Sequence, residues 1–230
     1  MSEDDPAKTW TTVVPEFYYD LISRIPPGVF LILGVIFEIL ESHNKTISDY
    51  KDFNTAVVIL FTVLLLAAGY SVGLFINTPT KYFAMIYTAK AWRRVINDEQ
   101  PLFKELKKQE IFKEFNFDSP SAIKEPEARR LFRRVHDLLK LKDNQAKVIL
   151  PKLTAESSLC NNTAFALVIY LVIHGINCGW DKVLAQWFAY LACVIFSFLL
   201  VLLGGSKYYR AIETHIVFLN RYMETIGKTI

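Results

Sequence analysis

FNTAVVILFTVLLLAAGYSVGLFINTPT, residues 53–80, contains no Asp, Glu, Lys or Arg. About 20 apolar helical residues cross a bilayer core, so this run is long enough to span it. The same signature recurs downstream at residues 157–180 and 183–206. Upstream, residues 25–40 are shorter and include Glu38; extended to about Ser42, they are read as a fourth span rather than a re-entrant segment. The chain of 230 residues is 52% hydrophobic and 21% charged, and its apolar residues fall in blocks rather than being dispersed. A soluble domain has no use for such blocks. The expected fold class is therefore all-α, with four transmembrane helices, an N-terminal interfacial helix and a cytosolic helical bundle.

Orientation follows from the basic residues, because short loops rich in Lys and Arg stay cytoplasmic. Of 26 such residues, 17 lie between Lys81 and Lys152, and only Lys45, Lys51 and Lys182 fall in the loops on the opposite side. This places the N-terminus, the central region and the C-terminus in the cytoplasm of a cell whose inner membrane holds the spans. The acidic start MSEDDPAK lacks the basic region of a signal peptide and is expected to be retained. The net charge of +3 reports topology before it reports any affinity for nucleic acid.

Five segments result: 1–25, a cytosolic N-terminus with an interfacial helix; 26–76, a first transmembrane hairpin; 77–160, a cytosolic helical insert; 161–204, a second hairpin; 205–230, an amphipathic tail helix. In the interfacial helix, Phe17, Tyr18, Leu21, Ile22 and Ile25 can face lipid while Glu16, Asp20 and Arg24 face water, with Asp20 and Arg24 four apart and able to pair. Pro26, Pro27 and Gly28 form an elbow between that helix and the first span, either a fixed anchor or a movable corner. Thr78 and Pro79 read as a helix start where the second span leaves the membrane. Pro101 begins another helix with an apolar stripe through Leu102, Phe103, Leu106, Ile111, Phe112 and Phe115. A third starts near Glu125, with Leu131, Phe132, Val135, Leu138 and Leu139 at helical spacing, and Asp143 caps a fourth, kinked at Pro151. In the tail, Tyr208, Ile212, Ile216, Leu219, Met223 and Ile226 share one face.

The chemistry-bearing residues are few. Glu38 and His174 lie near the outer ends of spans, where they serve either as interfacial anchors or as a pore mouth. The four histidines read as isolated, and Cys160, Cys178 and Cys193 read as small buried apolar residues, so no metal, cofactor or catalytic residue is expected. No glycine-rich phosphate loop or nucleophile elbow is present. Gly69 and Gly73 have the spacing that lets helix backbones approach closely, within this four-helix set or across a dimer seam. Arg129, Arg130, Arg133 and Arg134 form a basic face that is either solvated or a site for an acidic protein partner or lipid headgroups; without interleaved aromatics, nucleic acid ranks last. With so few polar residues deep in the spans, a pore would have to be built by a homo-oligomer.

FYYDLISRIPPG before the first span, KLTAESSLCNNTAFAL leading into the third and RAIETHIVFLNRYMETI after the fourth resemble small bacterial four-span inner-membrane proteins encoded beside anti-phage defence genes. Tyr19, Asp20, Arg24, Pro27, Gly28, Ala155 and Glu156 carry the resemblance. It implies a membrane component that works with a cytosolic protein partner and assigns no catalytic residue. The expected function is a non-enzymatic component that anchors that partner or perturbs the bilayer when triggered, with a small oligomeric ion channel or transporter as the alternative.

Overall fold

The structure, a computed structural model, describes residues 6–43, 45, 54–98 and 125–227. Their elements are all helical: α1 (Pro6–Ser42), α2 (Thr55–Asp98), α3 (Glu125–Lys142), α4 (Asn144–Cys178), α5 (Trp180–Ala185) and α6 (Trp187–Gly227). α1, α2, α4 and α6 are long and apolar enough to cross a membrane. The architecture is that of an all-α, multi-pass membrane protein. Most side chains of α2 from Val57 to Leu66 and of α6 from Trp187 to Leu203 point outward as bare hydrocarbon, which suits lipid and would be unfavourable in water. The helix expected after Pro101 lies outside the described residues, as does most of the loop between α1 and α2.

Contacts divide the chain into two compact units. One comprises Phe17–Tyr82 and Ala155–Gly204 and contains the apolar spans; the other gathers Met1–Glu16, Phe83–Thr154 and Gly205–Ile230. In the second unit, Leu131, Val135, Leu138 and Leu139 of α3 pack with Ala146 and Leu150 of α4 and with Ile212, Ile216, Phe218 and Leu219 of α6. α4 begins where Asp143 caps it, its carboxylate accepting the backbone N–H groups of Gln145 at 2.7 Å and Ala146 at 3.2 Å.

Two expected helix ends are absent. α1 runs unbroken through Pro26, Pro27 and Gly28, so there is no break there between an interfacial helix and a span. α2 likewise continues through Pro79 to Asp98 instead of restarting at Thr78. An interior proline removes one backbone donor, orphans the carbonyl four residues back and costs about 3 kcal/mol or more. Inside a membrane that carbonyl can be satisfied by a neighbouring helix. Pro27 orphans the Ser23 carbonyl, and the Asn162 side chain of α4 donates its Nδ2–H to that oxygen at 3.0 Å.

Gly28 has a packing role. A Cβ on Gly28 would collide with the Gly69 carbonyl, and one on Gly73 with the Arg24 carbonyl, so α1 and α2 touch backbone to backbone. Contacts also give the directions within the span-containing unit. Arg24 meets Gly73 while Gly28 meets Gly69, so α1 and α2 are antiparallel. Ser23 meets Asn162 and Glu38 meets His174, so α1 and α4 run parallel. Ser157 meets Gly204 and His174 stacks on Tyr190, so α4 and α6 are antiparallel. This alternation is what successive membrane crossings require.

Candidate functional site

Two polar clusters interrupt the apolar interior of the span-containing unit. The first is built on Asn162, which is fully buried. Its amide bridges α1 and α2: Nδ2 donates to the Ser23 carbonyl at 3.0 Å, and Oδ1 accepts the Thr80 hydroxyl at 2.6 Å. Thr80 Oγ1 also lies within reach of the Ile76 and Asn77 carbonyls, but it has one proton and the shortest contact is to Asn162. The amide orientation is thereby set, since the reverse would face oxygen to oxygen at Ser23.

Nearby, Arg24 pairs with Asp20 at 2.5 Å and donates to Tyr70 Oη at 3.0 Å, while the Tyr70 hydroxyl donates to Asp20 at 3.2 Å. The pair foreseen from spacing forms, but Arg24 turns toward α2 rather than outward. Phe17 and Tyr18 do point out.

The second cluster joins α1, α4 and α6. Glu38 is only 4% exposed despite lying in a span. Its Oε1 is 2.6 Å from His174 Nδ1 and accepts the Tyr170 hydroxyl at 3.1 Å. The His174 ring is stacked between Tyr170 and Tyr190, with centroids at 5.9 and 5.7 Å. One turn beyond His174, Cys178 Sγ lies 3.5 Å from Nδ1 and 3.7 Å from Nε2. Gly179, at φ 76°, then ends α4 in a left-handed conformation that favours glycine, making Cys178 the last helical residue. Glu38, His174 and Cys178 each offer a ligand atom, and these atoms lie within 4.8 Å of one another. Between the two clusters the interior is apolar, with Leu31, Ile76 and Ala166 at its centre and Val35, Val72, Phe165 and Ile169 around them.

Comparison with protein-family models, curated proteins and solved structures finds no match to this chain.

Among the candidate site residues, only the Arg129 side chain lies outside the described residues. Glu38 and His174, separate in the sequence, are in contact. Gly69 and Gly73 meet α1 around Gly28. Pro27 and Gly28 are buried and Pro26 is exposed. Arg130, Arg133 and Arg134 lie on the exposed face of α3, opposite its buried leucines. Sequence reasoning missed Asn162, Tyr70, Tyr170, Tyr190 and Cys178. One signal was available: His174 and Cys178 are four apart and so share a helix face. The histidines are not isolated, since His136 Nδ1 also lies 2.9 Å from His215 Nε2.

Proposed function

We propose that the chain is a non-enzymatic inner-membrane component, with both termini in the cytoplasm, that holds an acidic cytosolic protein at the bilayer through the basic face of α3. One observation carries this reading. α3 buries Leu131, Val135, Leu138 and Leu139 and thereby turns Arg130, Arg133 and Arg134 outward together. Exposed guanidinium groups recognise carboxylates through paired hydrogen bonds. A bacterial-defence setting is proposed on the sequence resemblance alone, and a homo-oligomer on the apolar surface left by α2 and α6. Arg129, Arg130, Arg133 and Arg134 changed together to Gln should abolish co-purification of the partner from the native host. Added salt should weaken the wild-type complex, because exposed charge pairs are screened. A complex indifferent to both would overturn the proposal.

A small oligomeric ion channel is the second reading, favoured by the buried Glu38–His174 pair within the spans. The apolar interior between the polar clusters argues against a path through one copy. Ion flux into liposomes holding the purified protein, lost in Glu38→Leu, would replace the anchoring proposal with this one.

A further inference from the structure

We propose that Glu38, His174 and Cys178 form a binding site for one divalent d10 ion, zinc(II) by the chemistry of its donors. Carboxylate, imidazole and thiolate are the three side-chain types that zinc takes, and three protein ligands plus one open position is its arrangement in non-structural sites. A hard-cation site for magnesium or calcium would use oxygens alone.

The three ligand atoms are already gathered within 4.8 Å of one another, and two small side-chain movements would complete the site. Neighbouring ligand atoms of a tetrahedral zinc lie roughly 3.3–3.7 Å apart, from bond lengths of about 2.0–2.3 Å. Cys178 Sγ is 3.5 Å from His174 Nδ1 and 3.7 Å from Nε2, which puts it over the ring face; to share an ion with Nδ1 its side chain must turn toward the ring plane. Glu38 Oε1 and Nδ1, at 2.6 Å, share a hydrogen bond that the ion would replace, opening that edge by under about 1 Å on the same bond lengths. Cys178 and His174 sit one turn apart on α4 and Glu38 comes from α1, so the ion would tie two helices together.

Charge balance favours the site at membrane depth. Zinc(II) with one carboxylate, one thiolate and a neutral imidazole has no net charge, so the loaded site avoids the penalty of a buried net charge. The Cys178 thiol gives its proton to water as the ion enters, and the proton held between Glu38 Oε1 and His174 Nδ1 passes to Nε2, which keeps the imidazole neutral and frees both ligand atoms.

The surroundings supply outer support and a place for a fourth ligand. Tyr170 donates to Glu38 at 3.1 Å, the kind of contact that orients a ligating carboxylate. Tyr190 stacks on the His174 ring, yet its buried hydroxyl has no hydrogen-bond partner among the described residues. An unmade bond of that kind costs about 1–3 kcal/mol. Water on the ion's open position would give that hydroxyl a partner.

The test uses the full chain purified in detergent, stripped with chelator and titrated with cobalt(II), which reports thiolate ligation by a near-ultraviolet charge-transfer band and tetrahedral geometry by its visible bands. Zinc affinity is then measured against a chromophoric chelator. One equivalent is expected. Cys178→Ser should abolish the charge-transfer band and weaken zinc by more than the roughly 10–100-fold that loss of an outer-shell partner costs, whereas Tyr170→Phe should fall within that range. His215→Phe should change neither. The band should survive in the Cys160→Ser/Cys193→Ser double variant, which keeps the test decisive if Cys178→Ser does not fold. No band in that variant, a band that persists in Cys178→Ser, or failure to bind zinc would overturn the proposal.

Discussion

Replacing Asn162 with leucine removes the donor that Pro27 makes necessary and the acceptor for Thr80. The Ser23 carbonyl is left unpaired, at about 1–3 kcal/mol, whereas the Thr80 hydroxyl can turn to the Ile76 or Asn77 carbonyl. We expect Asn162→Leu to lower the thermal midpoint of the detergent-solubilised protein well below that of the wild type, measured by fluorescence unfolding; an unchanged midpoint would show the bridge to be idle. Nothing local marks Asn162 in the sequence, because its partners are 82 and 139 positions away. Glu38 and His174 were legible one by one, as ionisable groups in apolar runs, but their pairing across 136 positions was not. Cys178 reads as a small apolar residue until its contact with the His174 ring is placed. A second residue carries a pH effect. His215 lies beyond the charge-free stretch of α6, is fully buried, and donates Nδ1–H to the Ala211 carbonyl, so its Nε2 accepts from His136. Burial pushes its pKa from 6.5 down to about 3, with His136 adding in the same direction and the Ala211 bond opposing. The folded form thus prefers neutral imidazole. Its contribution to stability is intact above pH 6.5 and is lost as pH falls toward 3, at up to about 1.4 kcal/mol per pH unit, because the unfolded chain binds a proton that the folded chain refuses. The acid-side fall of the thermal midpoint should be shallower in His215→Phe.

At the scale of helices, the spans were legible as charge-free runs and the amphipathic α3 by its spacing. Helix ends at prolines were not. The rule that proline stops a helix assumes water competes for the freed carbonyls; between packed helices it does not, and Asn162 supplies the donor instead. Spin labels at Phe17 and Phe37, both exposed, should therefore lie about 30 Å apart along one helix, at 1.5 Å per residue. A right-angled elbow at Pro26 would bring the same sites to roughly 20 Å on that rise, and that result would refute the continuous helix. Gly73→Val should force α1 and α2 apart and lower stability by about 1–3 kcal/mol, as overpacking does. The same change at Gly179 meets no neighbouring atom, and its effect would come from backbone strain instead.

At the scale of the molecule, the asymmetry of Lys and Arg predicts sidedness, and the helix directions within the span unit alternate, as four successive crossings of either orientation require. In a cysteine-free background, an impermeant thiol reagent applied to intact cells should label Lys45→Cys and spare Asp137→Cys. Labelling of both, or the reverse, would overturn the proposed orientation. Each unit is assembled from separated stretches of chain; the amphipathic stripes of the central region and the tail predict that these two group together, and the contacts add which side chains meet.

The Asn162 bridge also bears on biosynthesis. A ribosome delivers α1 and α2 before α4 exists, so the first hairpin enters the bilayer with the Ser23 carbonyl and the Thr80 hydroxyl lacking their later partner. The third span then arrives as a polar plug for a socket made earlier. The two halves, expressed as separate polypeptides cut within residues 99–124, should recognise each other in the membrane and co-purify, and Asn162→Leu in the second half should weaken that reunion.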